Sequence, residues 1–124
     1  MSTRTAPNRT IDDFERRPWG EWEVLDIGRG YKVKRLTVSP HSRLSLQSHV
    51  YRAEHWFVVS GTATCTVGVQ ELTVGPGGHV FVPRGTVHRI TNDGSSDLLI
   101  VEVQLGVYTG EDDIVRLADD HGRV

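Results

Sequence analysis

The sequence predicts an all-β fold, a barrel or sandwich of short strands. Three observations carry this. Apolar residues fall in short runs that alternate with polar ones at period two, the repeat of a half-buried strand. Glycine, proline and Asn-Asp-Gly signals separate these runs, and glycine alone occurs 13 times. Almost no stretch carries the spacing of an amphipathic helix, and Asp112 to Asp119 is the one candidate for a helical turn. Many short strands with regular turn signals are the pattern of closed or two-layered β architectures.

In chain order, Met1 to Thr10 is polar and expected to fray. Arg17-Pro18-Trp19-Gly20-Glu21-Trp22 is a turn between two tryptophans, read as a plug at one end of the core. Glu23 to Asp26 reads as a strand and Gly28-Arg29-Gly30 as its turn. In the strand Tyr31 to Val38, Lys32, Lys34 and Leu36 share one face, and Tyr31, Val33 and Arg35 the other. Pro40 ends it. Strands follow at Arg43 to Ser48, His55 to Ser60, Thr62 to Val67 and Glu71 to Val74. Gly75-Pro76-Gly77-Gly78 is a turn, and His79 to Val82, Val87 to Asn92 and Leu98 to Gly106 complete the set. In the last of these Ile100, Glu102 and Gln104 share a face, opposite Leu99, Val101 and Val103.

A chain of 124 residues suits one domain with a real core. We assign residues 17–124 to that domain and residues 1–16 to an N-terminal extension. The net charge of -2 offers no electrostatic case for nucleic acid or an anionic membrane. No apolar run approaches the roughly 20 residues that span a bilayer. The N-terminus lacks the apolar segment of a secretory signal. Cys65 is the single cysteine, which fits a reducing cytoplasm, and its place in a β-like run reads as a small core residue.

The chemistry concentrates between Pro40 and Gly61. Gln47 and His49 stand two apart in an extended segment, so both point to one face. Glu54 follows five residues later and opens the run to Val59. An imidazole, an amide oxygen and a carboxylate on one inner surface can hold a divalent metal, and His88 offers a fourth donor.

Two motifs then become specific. His41-x5-Gln47-x-His49-x4-Glu54-x6-Gly61 resembles the first cupin motif, with His41 in place of the usual leading glycine and Gln47 in place of the usual first histidine. Gly77-x5-Pro83-x-Gly85-x2-His88-x3-Asn92 resembles the second at every position. The resemblance implies a cupin, a double-stranded β-helix or jelly-roll-like barrel, with one metal ion on Gln47, His49, Glu54 and His88. Zn²⁺ is the expected ion, with Mn²⁺, Co²⁺ or Ni²⁺ also suited to this donor set. The alternative is a cupin whose site is degenerate.

The wording around these motifs is similar to that of type II phosphomannose isomerases over about residues 17 to 123. It includes Arg17-Pro18-Trp19-Gly20, Arg52-Ala53-Glu54-His55-Trp56 and Gly110-Glu111-Asp112-Asp113-Ile114-Val115-Arg116. That resemblance implies metal-dependent interconversion of mannose 6-phosphate and fructose 6-phosphate through an enediol, with no nucleotidyl transfer. A phosphate-cradling glycine loop is absent from the chain. Glu102 is the first candidate for acid–base work, against the alternative of an ion pair with Lys32 or Lys34. Arg116 and Arg52 are candidate substrate contacts, by similarity to a substrate-binding arginine and a lysine of type I enzymes. Lys34, Arg43 and Arg89 are further phosphate candidates, while His55 turns to the other face and reads as structural. Two other readings stand beside this one: a different cupin enzyme, either a dioxygenase or another sugar isomerase or epimerase, and a non-catalytic sugar-phosphate-binding module. The expected partners are a sugar phosphate and a second copy of the chain, a homodimer that covers the sheet edges.

Overall fold

The computed structural model describes residues 14–122, so the expectation of a frayed start at Met1 to Thr10 lies outside the described residues. The strands are β1 (Phe14–Arg17), β2 (Gly20–Gly28), β3 (Tyr31–Val38), β4 (Ser42–Arg43), β5 (Leu46–Ser48) and β6 (Arg52–Ser60). They continue with β7 (Ala63–Val67), β8 (Gln70–Val74), β9 (His79–Val82), β10 (His88–Asn92), β11 (Leu98–Gly106) and β12 (Val115–Ala118). One sheet runs β1-β2-β3-β11-β6-β9 and the other β12-β5-β10-β7-β8, with β4 beside β10. This is the cupin double-stranded β-helix, the all-β class that the alternating runs predict. No helix among the described residues is long and apolar enough to cross a membrane.

Strand alternation divides the barrel interior into two ends. On β3 the inward residues are Lys32, Lys34, Leu36 and Val38, and on β11 they are Leu98, Ile100, Glu102 and Gln104. On β6 they are Arg52, Glu54, Trp56 and Val58. The antiparallel register sets Ile100 between Leu36 and Val58, Glu102 between Lys34 and Trp56, and Gln104 between Lys32 and Glu54. One end of the barrel is thus apolar and the other charged. The apolar end joins Ala63, Cys65, Ile90 and the tryptophans Trp19 and Trp22 in one core, as the two-tryptophan plug and the buried cysteine predict. Burial of this set supplies the main stabilising term, and it holds the charged end in fixed geometry.

Two segments differ from expectation. The strand predicted over Arg43 to Ser48 is split into β4 and β5 on either side of Leu44 and Ser45, and Leu44 still donates its N–H to Ile90 O at 3.0 Å. The helical turn predicted within Asp112 to Asp119 is instead β12, paired with β5 through Val115–Ser48 and Arg116–Gln47. A single helical turn leaves most of its own backbone groups unpaired, whereas the open edge of β5 offers partners at once.

The motif glycines are conformational. Gly61 has φ +85°, and a Cβ there would lie 2.9 Å from Asp97 O. His41, where a glycine is usual, has φ +57°. This left-handed backbone costs a β-carbon residue about 1 kcal/mol. His41→Gly is therefore expected to raise the melting temperature by about 3 °C, read by scanning calorimetry. An unchanged or lower value would show that the imidazole makes a compensating contact.

Candidate metal centre

His49, Glu54 and His88 come together at the charged end, with donor atoms all within 4.8 Å of one another. Three different elements bring them there. Glu54 points inward from β6, His88 opens β10, and His49 lies just past β5. All three are buried. His49 Nε2 is 3.0 Å from Glu54 Oε2, and His88 Nε2 is 3.8 Å from Glu54 Oε1.

Backbone carbonyls fix both tautomers. His49 Nδ1 lies 2.6 Å from Asp113 O, and His88 Nδ1 lies 2.9 Å from Thr86 O. A carbonyl only accepts, so each Nδ1 carries the proton and each Nε2 turns its lone pair inward. Carbonyl-oriented imidazoles beside a carboxylate are the arrangement of metal-binding histidines. An Nε2 and a carboxylate oxygen 3.0 Å apart need a shared cation, either a proton or a metal ion. The donor set therefore fits a divalent metal.

Electrostatics keep Glu54 and His88 in ligating form. Burial pushes the Glu54 carboxyl up, but His49, Glu102, His88 and Arg52 outweigh it and hold it well below the usual range. Burial, with His49 and Arg52, holds His88 below its ordinary value, against the pull of Glu54. Glu54 Oε1 also accepts the Trp56 indole N–H at 2.9 Å.

Gln47 lines the same pocket and stands opposite His88 and Arg116 in the register. Its amide nitrogen donates to Ser45 Oγ at 2.9 Å, which leaves the carbonyl oxygen as the end suited to a cation. Arg52 is buried, with Nε 2.9 Å from Glu54 Oε2 and a terminal nitrogen 3.2 Å from His49 Nε2. Arg116 lines the pocket from β12.

Glu102 sits beside Glu54, and its Oε1 accepts the Gln104 amide at 2.9 Å. The alternative ion pair with Lys32 or Lys34 is not formed, because both lysines bind Glu111. Burial first, then the Glu54 charge and hydrogen bond, pushes the Glu102 carboxyl up to about 8. Between the ordinary value of 4.5 and about 8, the folded chain holds a proton that the unfolded chain has released. Stability must therefore fall as pH rises through that window. His88 works in the opposite sense just below its ordinary value, so the reading is the difference between two proteins. In chelator, wild type should lose roughly 3 to 4 kcal/mol more than Glu102→Gln between pH 5 and pH 8, by urea unfolding. Parallel pH profiles would refute the buried, protonated carboxyl.

The other candidates are engaged in contacts of their own. Arg43 pairs with Asp120 on the surface, at 2.7 Å and 2.8 Å, away from the pocket. Arg89 lines the pocket, but its Nε donates to Leu44 O. His55 faces outward, as alternation predicts, and bonds His79 at 2.7 Å.

Two residues at the site had no role in the sequence reading. Asp113 holds His49 by its carbonyl, and its carboxylate accepts the N–H groups of Val50 and Tyr51 at 2.8 Å and 2.9 Å. Glu111 bridges Lys32 and Lys34. The only signal for either was the acidic run after Gly110.

Residues 8–119 match the family described as mannose-6-phosphate isomerase C-terminal. The chain belongs to that family. It is 50% identical over 107 residues to the xanthan biosynthesis protein XanB of Xanthomonas campestris pv. campestris, covering 86% of this chain and 23% of that protein. It is 45% identical over 108 residues to a mannose-1-phosphate guanylyltransferase of Escherichia coli, covering 87% of this chain and 23% of that protein. The cupin domain of Schizosaccharomyces pombe Cnp3 shares the fold, with a TM-score of 0.67 and 14% identity over 69% of this chain and 64% of that one.

These relatives correct the activity expected from the motifs. The chain spans about a quarter of the length of the curated relatives it matches, and their names are those of a guanylyltransferase and a polysaccharide biosynthesis protein. Interconversion of mannose 6-phosphate and fructose 6-phosphate by this chain does not follow from them. The relatives' names belong to whole proteins, of which this chain matches one part.

Proposed function

We propose that this member of the mannose-6-phosphate isomerase C-terminal family is a metal-holding cupin module that binds a phosphorylated sugar. One observation carries the reading: the inward Nε2 atoms of His49 and His88 meet the Glu54 carboxylate in a pocket also lined by Arg52, Lys34 and Arg116. His49, Glu54 and His88, with Gln47, would hold one divalent ion, and we propose Zn²⁺ first. When bound, the ion supplies a Lewis acid that polarises a sugar oxygen. The guanidinium and ammonium groups favour an anionic ligand. Glu102 holds a proton beside Glu54 and is the group we assign to exchange it with a bound hydroxyl. Arg52 keeps Glu54 charged, and Trp56 fixes the carboxylate's orientation.

We further propose that the module works in the reducing cytoplasm, in keeping with its one buried cysteine, and that it pairs with a second copy. Exposed Phe57, Val59 and Phe81 on the outer face of the first sheet support that pairing, which light scattering tests. The central test uses protein purified without added metals or chelators. Elemental analysis should find about one divalent ion per chain, and calorimetry should find mannose 6-phosphate bound more tightly than mannose. A metal-free protein that also fails to load Zn²⁺, Mn²⁺, Co²⁺ or Ni²⁺ would overturn the reading.

A further inference from the structure

Two lysines on the inward face of β3 are almost fully buried, Lys32 at 6% and Lys34 at 5% exposure, and Lys34 lines the pocket. Lysines are rarely buried unless paired, because their charge must leave water. Here a single carboxylate pairs both. Glu111 Oε2 is 3.1 Å from Lys32 Nζ and 3.0 Å from Lys34 Nζ, and Oε1 is 3.1 Å from Lys34 Nζ. Lys32 also donates to Thr109 O at 2.6 Å, and Lys34 lies 3.8 Å over the Trp22 ring. Each ammonium thus has one contact besides Glu111.

Glu111 is built differently. It lies in the segment between β11 and β12, outside any strand, and its side chain is 42% exposed. Its carboxylate lines the same pocket as Glu54 and His88, so the position between the lysines is continuous with the proposed metal centre. Charge counting gives the ligand class. Two ammoniums share one carboxylate, while Arg52 is already matched by Glu54. The lysine pair therefore retains one unit of positive charge, which a dianion with several acceptor oxygens satisfies better than a monocarboxylate. Burial opposes the ionisation of Glu111, but Lys34, Lys32 and Arg52 outweigh it, so the carboxylate is a charged occupant of that position.

We propose that Lys32 and Lys34 form a phosphate subsite, and that Glu111 is a built-in carboxylate which a phosphate dianion displaces. The proposal rests on the sugar-phosphate reading above and names the end of the pocket that takes the phosphate.

Calorimetry on the metal-loaded full chain, with inorganic phosphate and with mannose 6-phosphate as probes, tests it. Glu111→Gln removes the competing charge and should bind phosphate about 10-fold tighter than wild type, and phosphate should raise its melting temperature by more. Adding Lys34→Met to Glu111→Gln removes one ammonium without stranding a carboxylate, and should reverse the gain. Lys32→Met with Glu111→Gln is the second arm, should the first variant fold poorly. Metal content should be the same throughout. If Glu111→Gln binds phosphate no tighter than wild type, or the lysine variants keep its affinity, the inference is overturned. If mannose 6-phosphate binds wild type but none of these variants alters it, only the subsite falls. If neither compound binds any form, the sugar-phosphate reading falls with it.

Discussion

Glu54→Gln is expected to lower divalent-metal affinity by about 1,000-fold or more, seen as metal content near background after dialysis. The change removes the one anionic donor among His49, Glu54 and His88 and leaves two neutral imidazoles. It also destabilises the metal-free protein. Arg52 is buried, and its guanidinium lies 2.9 Å from Glu54 Oε2, so the neutral amide leaves a buried cation without its counter-charge. Breaking such a pair from one side costs about 3 to 5 kcal/mol. Combining Glu54→Gln with Arg52→Met should restore most of the stability and none of the metal. That split separates the two roles of Glu54. If the single variant still loads one ion per chain, the assignment of the metal donors is wrong.

Asn92→Ala should be the most destabilising change away from the centre, at about 4 kcal/mol by urea unfolding. Its side-chain amide donates to Val38 O at 2.9 Å, Ser39 O at 3.2 Å and Ser96 O at 2.9 Å, and its Oδ1 accepts Gly94 N–H at 2.9 Å. Asn92 is buried, so alanine would strand several backbone groups at once. The final asparagine of the second motif thus ties the end of β10 to β3 and to the following turn. Its folded fraction should load metal as wild type does. A loss below about 1 kcal/mol would show that water replaces these bonds.

Much of the centre was legible because motif spacing and strand alternation are local properties. His49, Glu54 and His88 come within 4.8 Å of one another, as the resemblance to the two motifs implies, and Lys32, Lys34 and Leu36 share the inward face of β3. What escaped was the segment after β11. Nothing in Gly110 to Arg116 announces that Asp113 will hold His49, that Glu111 will join two lysines, or that Val115 to Ala118 will add a strand to β5. Each of these contacts spans more than 60 positions of chain, or draws its partner from an otherwise open strand edge. For the same reason the competition for Lys34 could not be decided beforehand. Both Glu102 and Glu111 are chemically able to pair with it, and only placement selects one.

By itself, the sequence determined the all-β class, the side chains that share a face on β3 and on β11, and, by resemblance, the family. The class and the shared faces follow from period-two alternation, which any extended chain obeys, and the family from motif wording. The tertiary structure alone decided which carboxylates meet cations and which must hold a proton. Such pairing depends on distances between strands far apart in the chain, and on how much water the packed barrel leaves around them.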